Sequence, residues 1–259
     1  GLTHNILSGR LCIDCLQKLF DIKGIIMPTP DPRTGVLQHD IERATPGYTL
    51  FTPLGMYKTY LINMTGEVVH LWNLPNDVGN YAYLLENGNL LVAIRTEEGP
   101  QGLPAKGGHL MEMDWDGKIV WEHVDHAQHH DFRRCKNGNT VYLGWELLDE
   151  ETQTKVPGGM AGQEHPDGIY ADYIREVDPK GNTIWEWHAA TDLVMNRFPL
   201  NPTVGRMEFA HANTIFPCKN GDFIINWRFN NTMLRVDRRS KEVSWFLNEP
   251  LYGQHHDVQ

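Results

Sequence analysis

The feature that most limits how this chain can fold is a pattern that returns four times: a strand, a tight polar turn, and a second strand carrying tryptophan. It reads "LINMTGEVVHLW" to Trp72, "MEMDWDGKIVWEH" with Trp121, "REVDPKGNTIWEW" with Trp185 and "LRVDRRSKEVSWF" with Trp245. Thr65-Gly66, Asp116-Gly117 and Lys180-Gly181 supply the positive φ that a tight hairpin needs. Arg239-Ser240 contains no glycine, so the fourth turn is expected to be longer or looser. In "KIVWEH", strand alternation sets Ile119 and Trp121 on one face and Val120 and Glu122 on the other.

A second pattern answers the first. "YLLENGNLLVA", "FRRCKNGNTVYLGW" and "TIFPCKNGDFIINW" carry Asn87-Gly88, Asn137-Gly138 and Asn220-Gly221 between apolar strands. Each unit is therefore two hairpins, or four strands, and the tryptophans are 49, 64 and 60 residues apart. Four strands per unit, at a period of roughly 40–50 residues plus insertions, mark an all-β β-propeller. A β-sandwich also has many short strands, but it does not repeat its sequence. The propeller is expected over 46–259 and has room for about four blades, whereas propellers close with roughly four to eight. The sequence stops where a further Asn-Gly hairpin is due. A C-terminal portion of about two blades, or a second chain, is expected to complete the ring.

Residues 1–45 read differently, as a helical segment and a connector. Leu11, Cys15, Leu19 and Phe20 recur at helical spacing, with Ser8 as a cap and Gly24 as an end. "MPTPDPRTG" follows as a Pro-rich connector. The Gly- and Pro-rich insertions 96–108 and 149–168 are expected to form rims over a site. Cys12 and Cys15 form a CxxC with no histidine after it and no second CxxC, which argues against haem attachment and zinc. A local disulfide or two buried thiols are each favoured over a redox centre. Cys135 and Cys218 hold matching places in the repeat, too far apart to bridge, and Asn63 and Asn230 head glycosylation sequons that matter only in a secreted eukaryotic chain.

The net charge of -10, with no basic stripe, speaks against nucleic acid as a partner. No apolar run approaches the roughly 18–20 residues of a membrane span. The first residue is Gly1 rather than Met, which fits removal of an upstream segment such as a signal peptide.

Thirteen histidines is a high number, and three groups of them recur at one point of the repeat. "AQHHDF" carries His129, His130 and Asp131, "EFAHANTI" carries His211 and Asn213, and "YGQHHDVQ" carries His255 and His256. His70, His109 and His188 stand alone and are read as structural. In a propeller, equivalent places are related by rotation, so innermost-strand residues converge on one channel. "INWRFNN" adds Arg228, whose guanidinium suits an oxyanion, unless it pairs with Asp222 or Asp237. Imidazoles, one guanidinium and one amide around a hole describe an anion site with a nucleophile or a general acid and base. Two other readings are a copper-type metal-binding propeller oxidoreductase, which Arg228 disfavours, and a non-catalytic binding propeller.

At these residues a resemblance enters. "ERATPGYTLFTP", "DWDGKIVWEH", "HHDFRRCKNGNT", "FAHANTIFPCKNGDFIINWRFNNTMLRVDR" and "QHHD" together resemble the bacterial arylsulfotransferases, which need no phosphoadenosine donor, from about residue 42 onward. The resemblance implies a six-bladed propeller with its site in the central channel. It implies sulfuryl transfer from an aryl sulfate to a phenolic acceptor by a ping-pong route through a covalent sulfohistidine. It implies small-molecule partners, no cofactor, no metal and a periplasmic or extracellular location. By motif the nucleophile falls on His255. His211, Asn213 and Arg228 would hold the sulfuryl oxygens, and His130 would serve as acid and base. His129 and His256 would lie against the substrate, and Asp131 or Asp257 would fix a tautomer from behind. The family's large N-terminal β-domain has no counterpart here. On a strand His255 and His256 face opposite ways, so register decides which enters the channel.

Overall fold

Both hairpin patterns fold into antiparallel sheets. A computed structural model describes residues 35–248 and 253–258. The helix expected over 8–24, with Cys12 and Cys15, lies outside the described residues. Gly1–Ala44 is one unit and Thr45–Gln259 a second. Of the first, the described part includes a turn in which the Asp40 carbonyl accepts from the Arg43 and Ala44 amides.

The second unit is an all-β propeller built of successive blades. The first sheet has three strands, β1 (Thr49–Phe51), β2 (Lys58–Ile62) and β3 (Val68–Asn73). The next blade is β4 (Val78–Leu84), β5 (Leu90–Arg95), β6 (Gly108–Met113) and β7 (Ile119–Val124), paired in that order. Then come β8 (Gln128–Arg134), β9 (Thr140–Leu147), β10 (Tyr170–Val177) and β11 (Thr183–His188), with β12 (Glu208–Phe209) added in parallel to β10. The last described blade is β13 (Ala212–Pro217), β14 (Phe223–Trp227), β15 (Thr232–Val236) and β16 (Val243–Asn248). The Asn-Gly turns join the first and second strands of the three four-stranded blades, and the tryptophan hairpins join the third and fourth. The first strands meet one another, with β8 packed between β4 and β13.

The turns behave as their residues require. Gly66, Gly117 and Gly181 sit at φ 84, 82 and 85°, each closing a four-residue turn. In the fourth hairpin the left-handed position moves to Lys241, at φ 60°, whose amide donates to the Asp237 carbonyl one residue further back. That is the longer loop expected where glycine is missing.

The recurring tryptophan joins neighbouring blades. Trp72 Nε1 donates to the Asp114 carbonyl, Trp121 Nε1 to Pro179 and Trp185 Nε1 to Arg238, at 2.9, 3.1 and 2.9 Å. Each indole thus satisfies a carbonyl in the hairpin turn of the blade that follows. The second strands lie between neighbours and carry continuous apolar runs. Leu90 to Ile94 are all buried, as are Thr140 to Trp145. The largest core cluster lies between the last two blades, where Trp227, Ile215 and Ile225 meet Ile174 and Trp187.

Among the described residues two short helices interrupt the pattern. α1 (Glu150–Lys155) begins at Asp149, whose carboxylate accepts the Thr152 amide at 2.8 Å. α2 (Asp192–Arg197) begins at Thr191, and Met195 with Phe198 anchors it in the core. Among the described residues no helix is long and apolar enough to cross a membrane.

Candidate functional site

The innermost strands are not regular where the cavity begins. β4 breaks register between Val78 and Ala82, β8 between His129 and Phe132, and β13 between Ala212 and Thr214. A bulge of this kind re-aims a side chain out of the alternation of the strand. Backbone in the left-handed region accompanies the irregularities: His130 at φ 46°, His211 at 54° and Ala210 at 89°. Non-glycine residues held there cost about 1–3 kcal/mol each and persist where surrounding structure enforces them.

Asn80, His130 and Asn213, one from each bulge, line a single cavity of about 510 Å³. Each lies seven residues before the Asn of its Asn-Gly turn. The next position in each blade, Tyr81, Asp131 and Thr214, also recurs: Tyr81 and Thr214 line the cavity and Asp131 is buried behind it. His211, Arg228, His256, Asp257 and Arg133 complete the polar wall. Pro104 and Ala105 of the 96–108 insertion close one side, and the Ala105 carbonyl accepts the His130 amide at 2.9 Å. The 149–168 insertion does not reach this cavity; its Pro157 carbonyl accepts the Leu200 amide at 2.9 Å instead.

The sequence-derived residues divide clearly. His130, His211, Asn213, Arg228 and His256 share the cavity. His129, expected against the substrate, is fully buried behind it, its ring stacked 4.1 Å from Trp145. The reason is the bulge, which turns adjacent residues to different sides. His255, expected as the nucleophile, is half-buried and is not among the lining residues, whereas its neighbour His256 is. The His255 carbonyl accepts from Asn213 Nδ2 at 3.3 Å and Asn226 Nδ2 at 2.6 Å, and Thr214 Oγ1 donates to the His256 carbonyl. Asn80 Nδ2 likewise donates to the His130 carbonyl at 3.4 Å. The same blade-to-blade bond thus precedes both histidines.

His70, His109 and His188 lie elsewhere. His70 stacks on Trp115, His109 faces Glu122 and His188 faces Glu146. The pairing left open for Arg228 is decided: Asp222 is taken by Arg235, and Asp237 caps its own turn through Arg239 and Ser240.

The electrostatics favour an anion. Arg228 Nη2 donates to Gln254 Oε1 at 3.0 Å, its Nε is buried without a partner, and its plane lies by Phe229. Burial, then the facing His129, His211 and His256 rings and the Arg228 charge, push His130 well below the ordinary imidazole value. Its ring is therefore neutral at pH 7. Burial also lowers His255. The His130 and His211 ring centroids are 4.7 Å apart.

Carboxylates stand behind the imidazoles. His211 Nδ1 lies 2.9 Å from Glu208 Oε1, and Glu208 Oε2 accepts from Trp145 Nε1 at 2.8 Å. Burial works to raise the Glu208 carboxyl, but His211, His129 and the indole outweigh it and hold it below its ordinary value. Burial pushes the Asp131 carboxyl up to about 7, against Arg133 at 3.0 Å and the amides of Ile215 and Phe132. Tyr81 also donates to it. Asp131 thus serves Arg133 and the blade junction rather than a histidine.

Sequence reasoning missed Asn80, Tyr81, Arg133, Thr214, Asp172 and Glu208, although Arg133 stands in "HHDFRRCKNGNT" and Glu208 and Thr214 in "EFAHANTI". The seven-residue offset from Asn-Gly would have found Asn80. Asp172 comes from β10, outside the repeated motifs, and Glu208 from β12, three residues before His211.

The family model described as Arylsulfotransferase (ASST) matches residues 123–253. No curated protein matches. Among solved structures, a protein of unknown function from Bacteroides caccae is 15% identical, with 79% of this chain covering 73% of that one at a TM-score of 0.37. Kuenenia stuttgartiensis hydrazine synthase is 12% identical over 74% of this chain and 49% of its own, at a TM-score of 0.46. A streptogramin B lyase is 11% identical over 79% and 52%, at a TM-score of 0.45. This chain spans about half the length of the last two.

Proposed function

The chain belongs to the arylsulfotransferase family, and from that premise we propose that the cavity moves a sulfuryl group from an aryl sulfate to a phenol through a sulfohistidine. The observation that carries this reading is Arg228, whose guanidinium lines the cavity with its Nε buried and unbonded, beside two imidazoles and the Asn213 amide. That is the donor set an SO₃ group requires, and one such preorganised donor is worth about 3–4 kcal/mol of barrier.

In the first half-reaction a histidine nitrogen attacks sulfur. The N–S bond forms as the aryl O–S bond breaks, and the bonding pair leaves on the aryloxide, which takes a proton from His130. In the second, the acceptor phenol loses its proton to His130 and its oxygen attacks sulfur. The N–S pair then returns to the imidazole. Arg228, His211 and Asn213 hold the sulfuryl oxygens throughout. Tyr81 lines the wall, its ring stacked on Phe132.

We assign the nucleophile to His255. The Gln254-His255 motif supports it, and so does the bond from Asn213 to the His255 carbonyl, which repeats that from Asn80 to His130. His256, at the cavity wall, is the competing candidate. The test is release of 4-nitrophenol from 4-nitrophenyl sulfate with phenol supplied. Turnover should depend on phenol, vanish in His255→Ala and persist in His256→Ala. The reverse pattern moves the nucleophile to His256, and absence of phenol-dependent release ends the sulfuryl reading.

A further inference from the structure

Behind His130 runs a buried line of groups that cavity chemistry alone does not explain. His130 Nδ1 lies 2.8 Å from His129 Nδ1. His129 Nε2 lies 3.2 Å from Asp172 Oδ1, an ion-pair distance, and neither of those two atoms has a hydrogen-bond partner. Asp172 Oδ2 accepts the Ala212 amide at 2.7 Å. His129 and Asp172 are fully buried, so no bulk water substitutes for a missing bond. The outer end, His130, faces the cavity beside His211, His256 and Arg228. The inner end faces Glu208.

We propose that Asp172, His129 and His130 form a proton relay that switches His130 Nε2 between hydrogen-bond acceptor and donor, with Asp172 as the buried proton store. The proposal rests on the sulfuryl-transfer reading for its use, but its geometry stands by itself. Two facing imidazole nitrogens cannot both carry hydrogen, so the line has two self-consistent states. In one, Asp172 is a carboxylate, His129 carries its proton on Nε2, and His130 carries its own on Nδ1. His130 Nε2 is then a lone pair, a base. In the other, Asp172 Oδ1 is protonated, His129 Nδ1–H donates to His130 Nδ1, and His130 Nε2–H faces the cavity as an acid. Three protons shift one place each between these states, and neither leaves an imidazolium behind.

The chemistry needs this alternation. The leaving aryloxide takes the Nε2 proton, and the line refills from Asp172. The acceptor phenol returns a proton at Nε2, which passes inward to Asp172. One proton is lost and one regained per cycle. Burial opposes a charged His130 and raises the Asp172 carboxyl, which puts the store at the inner end. His129 and Asp172 are positioning residues that act through His130.

The experiment uses Asp172→Asn. The Asn oxygen takes the Ala212 amide and its NH₂ donates to His129 Nε2, which locks His130 Nε2 in the protonated form. A burst of one 4-nitrophenol per chain should survive, because 4-nitrophenolate leaves as the anion and takes no proton from His130, while phenol-dependent steady-state turnover falls by at least ~10²-fold, the ordinary worth of a general base. Wild-type turnover in the variant overturns the proposal. So does loss of burst and turnover together in a folded variant, because that makes Asp172 mere support. A second measurement needs neither a variant nor activity: nitrogen NMR of histidine-labelled wild-type protein through a pH titration. His129 and His130 should exchange protonated nitrogens together at one midpoint. Separate titration of either ring as an imidazolium overturns the relay. A wild-type protein with no burst but this coupled exchange would fail the transfer reading alone.

Discussion

Replacing Arg228 by alanine probes the site where charge matters most. The guanidinium spends one N–H on Gln254, at 3.0 Å, and its Nε finds no partner. The structural loss is the contact with Phe229, worth no more than about 1 kcal/mol. Its loss to the transition state is that of a preorganised donor, about 2.7–4 kcal/mol, or 10²–10³-fold in kcat/KM. Steady-state kinetics with 4-nitrophenyl sulfate and phenol, alongside thermal melting, separates the two effects. A further shift has a fixed sign. The Arg228 charge is one of the causes that lower His130, so its removal raises the pH at which that line takes up a proton. The acid limb of the pH–rate profile should therefore move to higher pH. Arg228→Lys should recover the limb but only part of the rate, since an ammonium lacks the bidentate fork. Wild-type kcat/KM in Arg228→Ala, with an unmoved acid limb, would refute this account.

Other perturbations test the scaffold. Asp125 Oδ2 accepts from Tyr142 at 2.8 Å, Tyr173 at 2.6 Å and Arg175; burial works to raise its carboxyl, and these bonds outweigh it and hold it below the ordinary value. A depressed folded value contributes stability that is present above about pH 4 and lost as pH falls through it. Asp125→Asn should cost about 2–4 kcal/mol at pH 7 in denaturant melts and flatten stability on the acid side. Trp185→Phe keeps the ring but strands the Arg238 carbonyl, so it should cost about 1 kcal/mol. Leu91→Ala empties a fully buried position and should cost about 2–5 kcal/mol. Asn80→Ala should slow transfer by about tenfold or more with little change in melting, as befits a cavity wall.

The sequence made the strands, turns and blade order legible because turn chemistry is local. Gly at a positive φ and Asn-Gly between apolar runs need no knowledge of the rest of the chain. The reason for the recurring tryptophan was not legible, because its partner is a carbonyl in the next blade. The cavity was legible as far as histidine marks it. Asn80 holds the same ring position without an imidazole, so it passed unseen. His129 and His130 look alike in "QHHD", and only the bulge separates the buried ring from the cavity ring. Asp172 reaches the site across a strand pairing that no local motif encodes, whereas Glu208 is a sequence neighbour of His211.

The most direct measurement is to mix the protein with a sulfur-labelled aryl sulfate, omit the acceptor, quench in base and map the label by peptide mass analysis. The account requires one SO₃ group per chain, on a histidine nitrogen in the peptide carrying Gln254 to Asp257, discharged when phenol is added. A protein that releases phenol yet carries no label, or carries it on any other residue, would contradict it.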